Sequence, residues 1–174
     1  SKCHHDLESF LQYGARAELD EDTNVYRGTL FEYSAAEILK WYGFSLHRTG
    51  RSNDLGIDLL GHWRIPMAPF EVKIVAQCKA TQTRPAFVRE LEGACQGAPL
   101  GFRGSNVMAL LIADRETTKG VRQAVDRSSM PMGFMLVTGD GFLEQFFWNA
   151  AATDAFLTGM DVNTLHDQRS QMIK

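Results

Sequence analysis

Four polar side chains in this sequence are hard to explain by packing alone, and together they could hold a metal ion and activate water: Glu32, Asp58, Gln77 and Lys79. Asp58 interrupts an apolar run, where a lone carboxylate facing a core would be costly, so we expect it to face a cleft beside a cation. Gln77 and Lys79 flank Cys78, and strand alternation would place both side chains on one face and the Cys78 thiol on the other. A carboxylate, an amide oxygen, a backbone carbonyl and a lysine suit a hard divalent cation and hydrolytic chemistry.

The elements that must position these residues follow from the hydrophobic pattern, which predicts alternating helices and strands. Helices are predicted at 5–14, 29–42, 85–96 and 118–125, and strands at 44–47, 57–60, 70–79, 107–112 and 133–137. From the second helix onward the order is αβββαβαβ, which indicates a mixed α/β or α+β fold. If the second and third strands pair as a hairpin, Asp58 lies beside Gln77, and a helix packed over that end brings Glu32 to the same place.

An aromatic group follows the last of these strands at spacing typical of an amphipathic helix, which would bury the group in the core or in a dimer interface: Phe142, Phe146, Phe147 and Trp148. Residues 149–174 contain few large apolar side chains. We therefore expect a C-terminal tail that wraps the domain or stays partly mobile.

The length and the charge distribution of the chain indicate one compact domain with a locally basic segment. A chain of 174 residues with 44% hydrophobic and 22% charged residues suits one compact domain. The net charge is −3, but residues 1–26 carry −4, residues 27–127 carry +4 and residues 128–174 carry −3. Local potential rather than total charge attracts phosphate, so the middle segment is the candidate surface for a nucleic acid.

Cysteine usage and apolar content exclude several other classes. Three cysteines without CxxC spacing suit the cytosol, the nucleus or the mitochondrial matrix and exclude a zinc ribbon. His4 and His5 beside Cys3 lack the further ligands that a zinc site requires. There is no stretch of eighteen apolar residues, so we expect no membrane span, and neither a signal core nor a transit peptide is visible in this chain.

Four short motifs occur in an order that carries a family resemblance: Arg27-Gly28-Thr29-Leu30-Phe31-Glu32, Thr49-Gly50 with Asp54-Leu55-Gly56-Ile57-Asp58, Gln77-Cys78-Lys79, and Val88-Arg89-Glu90-Leu91. Together they resemble the catalytic core of PD-(D/E)xK nucleases, specifically the Mrr-like branch, in which glutamine often stands in the second acidic position. More narrowly, the chain is similar to the fungal mitochondrial "required for respiratory growth" family, whose members carry this nuclease-like domain. The narrower similarity includes the Arg48-Thr49-Gly50 loop and a turn expected at Gly61-His62-Trp63, and the whole covers about residues 25–140.

The resemblance implies a restriction-endonuclease-like α/β fold, with a mixed central β-sheet flanked by α-helices. Residues 1–26 would form an acidic helical extension, residues 27–148 the nuclease-like domain, and residues 149–174 the tail. The resemblance also implies a location in the mitochondrial matrix and a role in the maintenance of mitochondrial DNA. Related endonucleases act as twofold dimers, so we expect a homodimer, with no membrane partner and no small-molecule cofactor.

The resemblance further implies roles in a Mg²⁺-dependent deoxyribonuclease, an endonuclease rather than an exonuclease. Asp58, Gln77 and the Cys78 carbonyl would hold Mg²⁺, for which Mn²⁺ could substitute, and Glu32 would hold a second cation or a metal-bound water. Lys79 would orient or deprotonate the attacking water and offset charge on the phosphate. Contacts with DNA are expected from three arginines: Arg48, Arg51 and Arg89.

Alternatives stay open for several of these residues. Replacing a carboxylate by the amide of Gln77 removes one negative charge and weakens the attraction for Mg²⁺. The chain could therefore be a DNA-binding or structural module whose nuclease site has decayed. Glu32 could be a surface carboxylate that pairs with a nearby basic residue, and the three arginines could be ordinary surface residues.

Overall fold

The sheet at the centre of the fold consists of six strands in the described part of the chain, arranged in the order of the sequence. The computed structural model describes residues 3–49, 56–66 and 68–160. The strands are β1 (Phe44–Arg48), β2 (Leu59–Arg64), β3 (Glu71–Lys79), β4 (Val107–Ala113), β5 (Met132–Val137) and β6 (Leu143–Trp148). The β1, β2 and β3 strands are antiparallel, β3, β4 and β5 are parallel, and β6 returns antiparallel to β5. The sheet is therefore mixed, as predicted.

Helices cover both faces of this sheet. They are α1 (Leu7–Arg16), α2 (Asn24–Lys40), α3 (Pro85–Gln96), α4 (Lys119–Arg127) and the short α5 (Ala150–Ala152), which continues as a π-helical turn over Thr153–Leu157. The α3 helix links β3 to β4 and α4 links β4 to β5, and both helices pack on one face, as two crossovers of the same hand require. The α2 helix and the C-terminal helical segment pack on the other face. The expectation of an α/β fold with a mixed sheet between helices is confirmed.

The β4 strand is buried along its whole length. Met108 and Leu110 pack in the core on the α2 side, whereas Ala109 and Leu111 pack in the core beneath α3 and α4. Successive residues of a strand point to opposite faces, so a continuous apolar run suits a parallel strand that is covered on both sides.

Helix boundaries follow capping groups more closely than they follow apolar periodicity. The α2 helix begins at Asn24, ahead of the predicted start at residue 29, because the Thr23 side chain accepts a hydrogen bond from the Tyr26 N–H. The turn after this helix reaches Gly43, whose φ of 87° suits glycine. The α3 helix runs over Pro85–Gln96 as predicted, with a proline in its first turn.

Two sequence-based expectations about strands are wrong. Gly61, His62 and Trp63 do not form a turn, because they lie within β2, which stays in register with β1 and β3 as far as Arg64. The aromatic group is not helical either, because Leu143–Trp148 form an edge strand paired with β5. Strand alternation directs Phe146 into the core on the α2 side and Phe147 against the core beneath α3 and α4, whereas Phe142 precedes the strand and is 39% exposed.

The segment after β6 wraps onto the α2 face of the sheet. Ala152 and Leu157 are fully buried in that core. The expected wrapping tail is thus present as far as residue 160, and residues 161–174 lie outside the described residues. A search of the described helices finds none that is both long and apolar enough to cross a bilayer.

Gly61 allows β1 and β2 to approach closely, and its replacement is a test of this packing. A Cβ on Gly61 would lie 1.9 Å from the Ser45 carbonyl oxygen. We expect Gly61→Ala to force the two strands apart. The free energy of unfolding should fall by about 1–3 kcal/mol or more, since this range is the usual cost of overpacking. Gly93→Ala is the matched control, because nothing lies within 4 Å of a Cβ there and alanine is favoured in a helix. Urea unfolding measures both, and a parental midpoint for Gly61→Ala would contradict the expectation.

Candidate active site

Asp58 lies at the start of β2, where the pairing with β3 is irregular. The Asp58 N–H donates to the Ala76 carbonyl at 2.9 Å, although Ala76 is the register partner of Leu59. Two residues of one strand thus oppose one residue of the other, which is the arrangement of a β-bulge. Burial agrees with this, because Ile57 and Leu60 both pack in the core beneath α3 and α4, whereas Leu59 packs on the α2 side. The bulge directs the Asp58 side chain along the sheet toward β3.

The Asp58 carboxylate ties the end of β2 to β3. Its Oδ2 accepts a hydrogen bond of 2.7 Å from the Cys78 N–H. The carboxylate therefore takes the place of the backbone carbonyl that a regular ladder would offer to this N–H. Because the N–H and C=O of one strand residue point toward the same neighbouring strand, the Cys78 carbonyl also points toward the Asp58 side.

Gln77 and Lys79 lie on the face of β3 that α3 covers. Val75, two residues earlier on the same face, packs in the core beneath α3, and the Lys79 Nζ lies 4.4 Å from the centroid of the Phe87 ring in that helix. Cys78 packs against the core on the α2 side. The structure therefore has the alternation that the sequence predicts for this strand end.

The Gln77 side chain is almost fully buried, at 3% exposure, and lies against Gly56. A Cβ on residue 56 would lie 2.9 Å from the Gln77 Nε2, and Gly56 has a φ of 75°, so both space and backbone favour glycine there. The Gln77 Oε1 has no hydrogen-bond partner within the described ranges. A buried polar group without a partner costs about 1–3 kcal/mol, so this oxygen is the atom of the site that would gain most from an added ligand.

Glu32 is paired with Arg48. The Arg48 Nε donates to the Glu32 Oε2, and both side chains are largely buried, at 17% and 15% exposure. The Arg48 Nη2 also lies 3.5 Å from the Thr29 hydroxyl, and its guanidinium lies 5.4 Å from the centroid of the Tyr33 ring. The alternative in which Glu32 pairs with a basic residue is thus present, in a buried form. The sequence does not identify Arg48 as the partner or predict that the pair is buried, because only tertiary packing brings α2 and the end of β1 together.

Neighbouring charged groups affect the pKa values of the two carboxylates of the site, Asp58 and Glu32. Burial raises the pKa of Asp58, against the opposing effects of the Cys78 N–H, Lys79 and Arg48. Burial also raises the pKa of Glu32, where the Arg48 hydrogen bond acts against the rise and the Asp58 charge adds to it. Glu32 therefore lies within electrostatic reach of Asp58 and Arg48, and Asp58 lies within reach of Arg48 and Lys79.

The predicted DNA contacts and metal ligands fall into different environments. Arg48 is engaged with Glu32, Arg89 is exposed on α3, and Arg51 lies outside the described residues. In the part of the chain that the structure describes, no three His, Cys, Asp or Glu side chains are grouped so that they could hold a metal ion. A cation at this site would therefore depend on a mixed donor set, in which Asp58 is joined by amide and carbonyl oxygens.

Comparison with known proteins assigns the chain to a family. The family model described as "Required for respiratory growth protein 7" matches residues 23–73 and 66–166. The chain belongs to this family. An uncharacterized mitochondrial protein of Schizosaccharomyces pombe is 32% identical over 162 residues, which cover 90% of this chain and 64% of the relative. The chain thus spans just under two thirds of that relative's length, and no solved structure matches it.

Membership of the respiratory growth protein 7 family confirms two expectations from the sequence. The narrower of the two resemblances is correct, and the protein is mitochondrial. The assignment to PD-(D/E)xK nucleases and to the restriction-endonuclease-like fold stays a prediction.

Two substitutions at Asp58 separate the hydrogen bond of the carboxylate from its charge. The amide oxygen of Asp58→Asn can still accept the Cys78 N–H, whereas Asp58→Ala leaves that N–H without a partner, which costs about 1–3 kcal/mol. We expect the alanine variant to lose that much free energy of unfolding and the asparagine variant to keep it at neutral pH. Urea unfolding measures both variants, and equal losses would show that the hydrogen bond does not stabilise the fold.

The same two variants should differ from the parent in pH dependence. Because the pKa of Asp58 is raised above 3.8 in the folded state, that state binds more protons between 3.8 and the folded pKa, and stability falls as pH rises through this window. Asp58→Asn cannot titrate, so it should lose this part of the decline when unfolding is followed from about pH 4 to about pH 7. A parental slope in Asp58→Asn would contradict the raised pKa.

Proposed function

We propose that this chain is a Mg²⁺-dependent deoxyribonuclease that hydrolyses phosphodiester bonds of mitochondrial DNA. The observation that carries the proposal is the meeting of Asp58, Gln77 and Lys79 where β2 begins and β3 ends. This part of the fold contains the largely buried carboxylate of Asp58, the Gln77 amide oxygen, which has no described partner, and the ammonium of Lys79. The mitochondrial location of the family makes the DNA of the matrix the expected substrate, and DNA maintenance the expected role.

The donor set fits a hard divalent cation. Asp58 uses its Oδ2 to accept the Cys78 N–H, and a carboxylate has further lone pairs for other contacts. The Gln77 Oε1 would gain a partner on binding a cation. Oxygen atoms of these kinds are the ligands that Mg²⁺ and Mn²⁺ prefer, so Asp58, Gln77 and the Cys78 carbonyl would hold the ion. When bound, the ion would polarise the phosphate and lower the pKa of a nearby water.

Lys79 brings a proton-bearing cation to the same strand end. Its ammonium lies over the Phe87 ring, and this cation–π contact orients it. Its charge also favours the ionised form of Asp58. An ammonium has three donors, so Lys79 can orient an attacking water and bind a phosphate oxygen on which charge develops.

Glu32 and Arg48 act as a pair in this proposal. A second cation at Glu32 would have to displace the contact with Arg48. The guanidinium has five N–H donors, and those that Glu32 does not use can bind a phosphate oxygen or another acceptor. The pair therefore positions Arg48 at the border of the site.

Endonucleolytic cutting and a homodimer belong to the same proposal. Most soluble homo-oligomers are twofold dimers, and two sites related by a twofold axis can face the two strands of a duplex. Arg89, which is exposed on α3, would then contact DNA outside the site.

A DNA-binding module with a decayed nuclease site is the second candidate. Gln77 is an amide where a carboxylate would attract Mg²⁺ more strongly, and Glu32 is already compensated by Arg48. One assay separates the candidates: branched, single-stranded and duplex DNA are incubated with the protein in Mg²⁺, Mn²⁺ or EDTA. Metal-dependent cutting supports the nuclease, and binding without cutting in every arm supports the module.

We expect Lys79→Ala to abolish most DNA cleavage and to leave the affinity for DNA nearly unchanged. Loss of a group that moves or orients a proton costs about 100-fold or more in rate, whereas one phosphate contact among several is a small part of affinity. Single-turnover cleavage and DNA binding in EDTA measure the two effects. Lys73→Ala is the matched control, because Lys73 lies on the same face of β3, opposite His62 and about 20 Å from Lys79.

The control variant should cut DNA at the parental rate. The proposed mechanism would be contradicted if Lys79→Ala cut DNA at the parental rate, or if Lys73→Ala lost as much cleavage rate as Lys79→Ala. A circular dichroism spectrum identical to that of the parent establishes that each variant is folded.

Gln77→Glu and Asp58→Asn test where the metal binds. The first variant adds a negative charge to the donor set, so Mg²⁺ should bind the free protein several-fold more tightly, and the second removes the carboxylate and should weaken binding. Titration calorimetry without DNA measures these affinities. Gln123→Glu, which adds the same charge at an exposed position of α4, should leave the affinity unchanged. Equal Mg²⁺ affinities in the parent and all three variants would contradict a metal site at Asp58 and Gln77.

A further inference from the structure

A cavity of about 450 Å³ lies between α1, the start of α2 and the end of β1. Its volume falls in the range of small-molecule sites, roughly 300–1,000 Å³. Four aromatic side chains and two polar ones form much of its wall: His4, Phe10, Tyr13, Tyr26, Thr29 and Arg48. None of the chemistry discussed above uses these aromatic rings.

The aromatic wall is held in place without a ligand. The centroid of the His4 ring lies 5.1 Å from that of Phe10 and 5.5 Å from that of Tyr13, and Phe10 lies 5.1 Å from Tyr26. The His4 Nδ1 is hydrogen-bonded to the Tyr33 hydroxyl at 2.7 Å, which ties the start of α1 to α2. A ligand entering this cavity would therefore need to order few side chains, which favours affinity.

The charge balance of the wall favours a neutral ring over an anion. The Arg48 charge is compensated by Glu32, and Asp20 adds a carboxylate to the lining. Inside the cavity a phosphate would lose its hydration beside the Asp20 carboxylate, which repels it, so Arg48 can serve a phosphate only on its side that faces the candidate active site. A nucleobase, in contrast, is planar and uncharged, stacks on aromatic side chains, and carries acceptors and donors on its edges that suit Arg48 and Asp20.

Arg48 connects this cavity to the candidate active site. The same side chain lines the cavity and binds Glu32, and Arg48 is the register partner of Leu59, the residue next to Asp58. A DNA strand with one base in the cavity would therefore have its backbone close to the start of β2 and the end of β3, where Asp58 and Lys79 lie.

We propose that the cavity holds one unstacked nucleobase of a DNA strand whose phosphodiester backbone passes the candidate active site. The inference rests on the proposed function, because that function makes DNA the substrate. It adds a substrate class, namely single-stranded or locally unpaired DNA, since a base must leave the helical stack before it can enter a pocket of this kind.

A single-stranded oligonucleotide with 2-aminopurine at one position tests this proposal in EDTA, where binding is measured without cleavage. Tyr13→Ala removes the partly exposed part of the aromatic wall, and Val25→Trp fills the cavity from a position that is 66% exposed. Each variant should weaken binding by about 5- to 150-fold, the range that stacking one base on an aromatic side chain supplies, and should abolish the quenching of 2-aminopurine. Tyr13→Phe keeps the ring and should bind like the parent.

Trp41→Ala is the matched control, because Trp41 is an aromatic residue of 79% exposure that does not line the cavity. Parental affinity and quenching in both Tyr13→Ala and Val25→Trp would overturn the proposal, and so would an equal loss in Trp41→Ala. Two further arms use the same probe as a free deoxynucleoside monophosphate and within an intact duplex. If either binds as tightly as the single strand, the assignment to an unpaired DNA strand is wrong.

This experiment separates the cavity from the nuclease proposal. Quenching that depends on Tyr13, in a protein that cuts no DNA with any metal, supports the cavity site and leaves the nuclease proposal contradicted. Metal-dependent cleavage that depends on Lys79, with parental binding by the Tyr13 and Val25 variants, supports the nuclease and overturns the cavity site.

Discussion

Burial of β4 on both of its faces is the constraint on which the rest of the fold depends. Every residue of this strand is buried, so neither face of the sheet beside it can be left to water. The α2 helix and the C-terminal segment cover one face, and α3 and α4 cover the other. The neighbouring strand β3 shares these layers and carries polar side chains where it approaches its end, at Gln77 and Lys79. The candidate site therefore lies at the margin of the buried sheet, where packing can hold polar groups in fixed positions.

The bulge at Asp58 places a carboxylate beside the end of β3, which carries Gln77 and Lys79. A carboxylate that accepts a backbone N–H has a fixed position, and fixed charges and dipoles are what hydrolytic sites use to meet developing charge. Partial burial makes its ionisation costly, and the nearby charges of Arg48 and Lys79 reduce that cost. The fold thus brings opposite charges together at a sheet end, beside an amide oxygen that has no hydrogen-bond partner among the residues that the structure describes.

Local signals in the sequence predict the elements, and tertiary contacts decide the rest. The α3 helix is predicted at its observed bounds because Pro85 marks a first turn. The β6 strand is predicted as a helix because a dense aromatic run is compatible with both periodicities, and only the pairing with β5 distinguishes them. The alternation of Gln77 and Lys79 follows from the strand period. The bulge at Asp58 and the pairing of Glu32 do not follow, because each depends on the fit between elements that are separate in the sequence.

The hydrogen bond from the Cys78 N–H to Asp58 also affects how sequences of this family can be compared. Folding requires a hydrogen-bond acceptor at position 58, because the end of β3 depends on the bond from the Cys78 N–H. An aspartate or an asparagine can provide this acceptor, so selection for folding alone would retain either residue. The Lys79 ammonium lies over the ring of Phe87, and no side-chain hydrogen bond is described for it that would tie two strands together as Asp58 does. An aspartate or asparagine at position 58 therefore reports inheritance of the architecture, whereas under the proposed function a lysine at position 79 and a charged aspartate at position 58 would report retention of the chemistry.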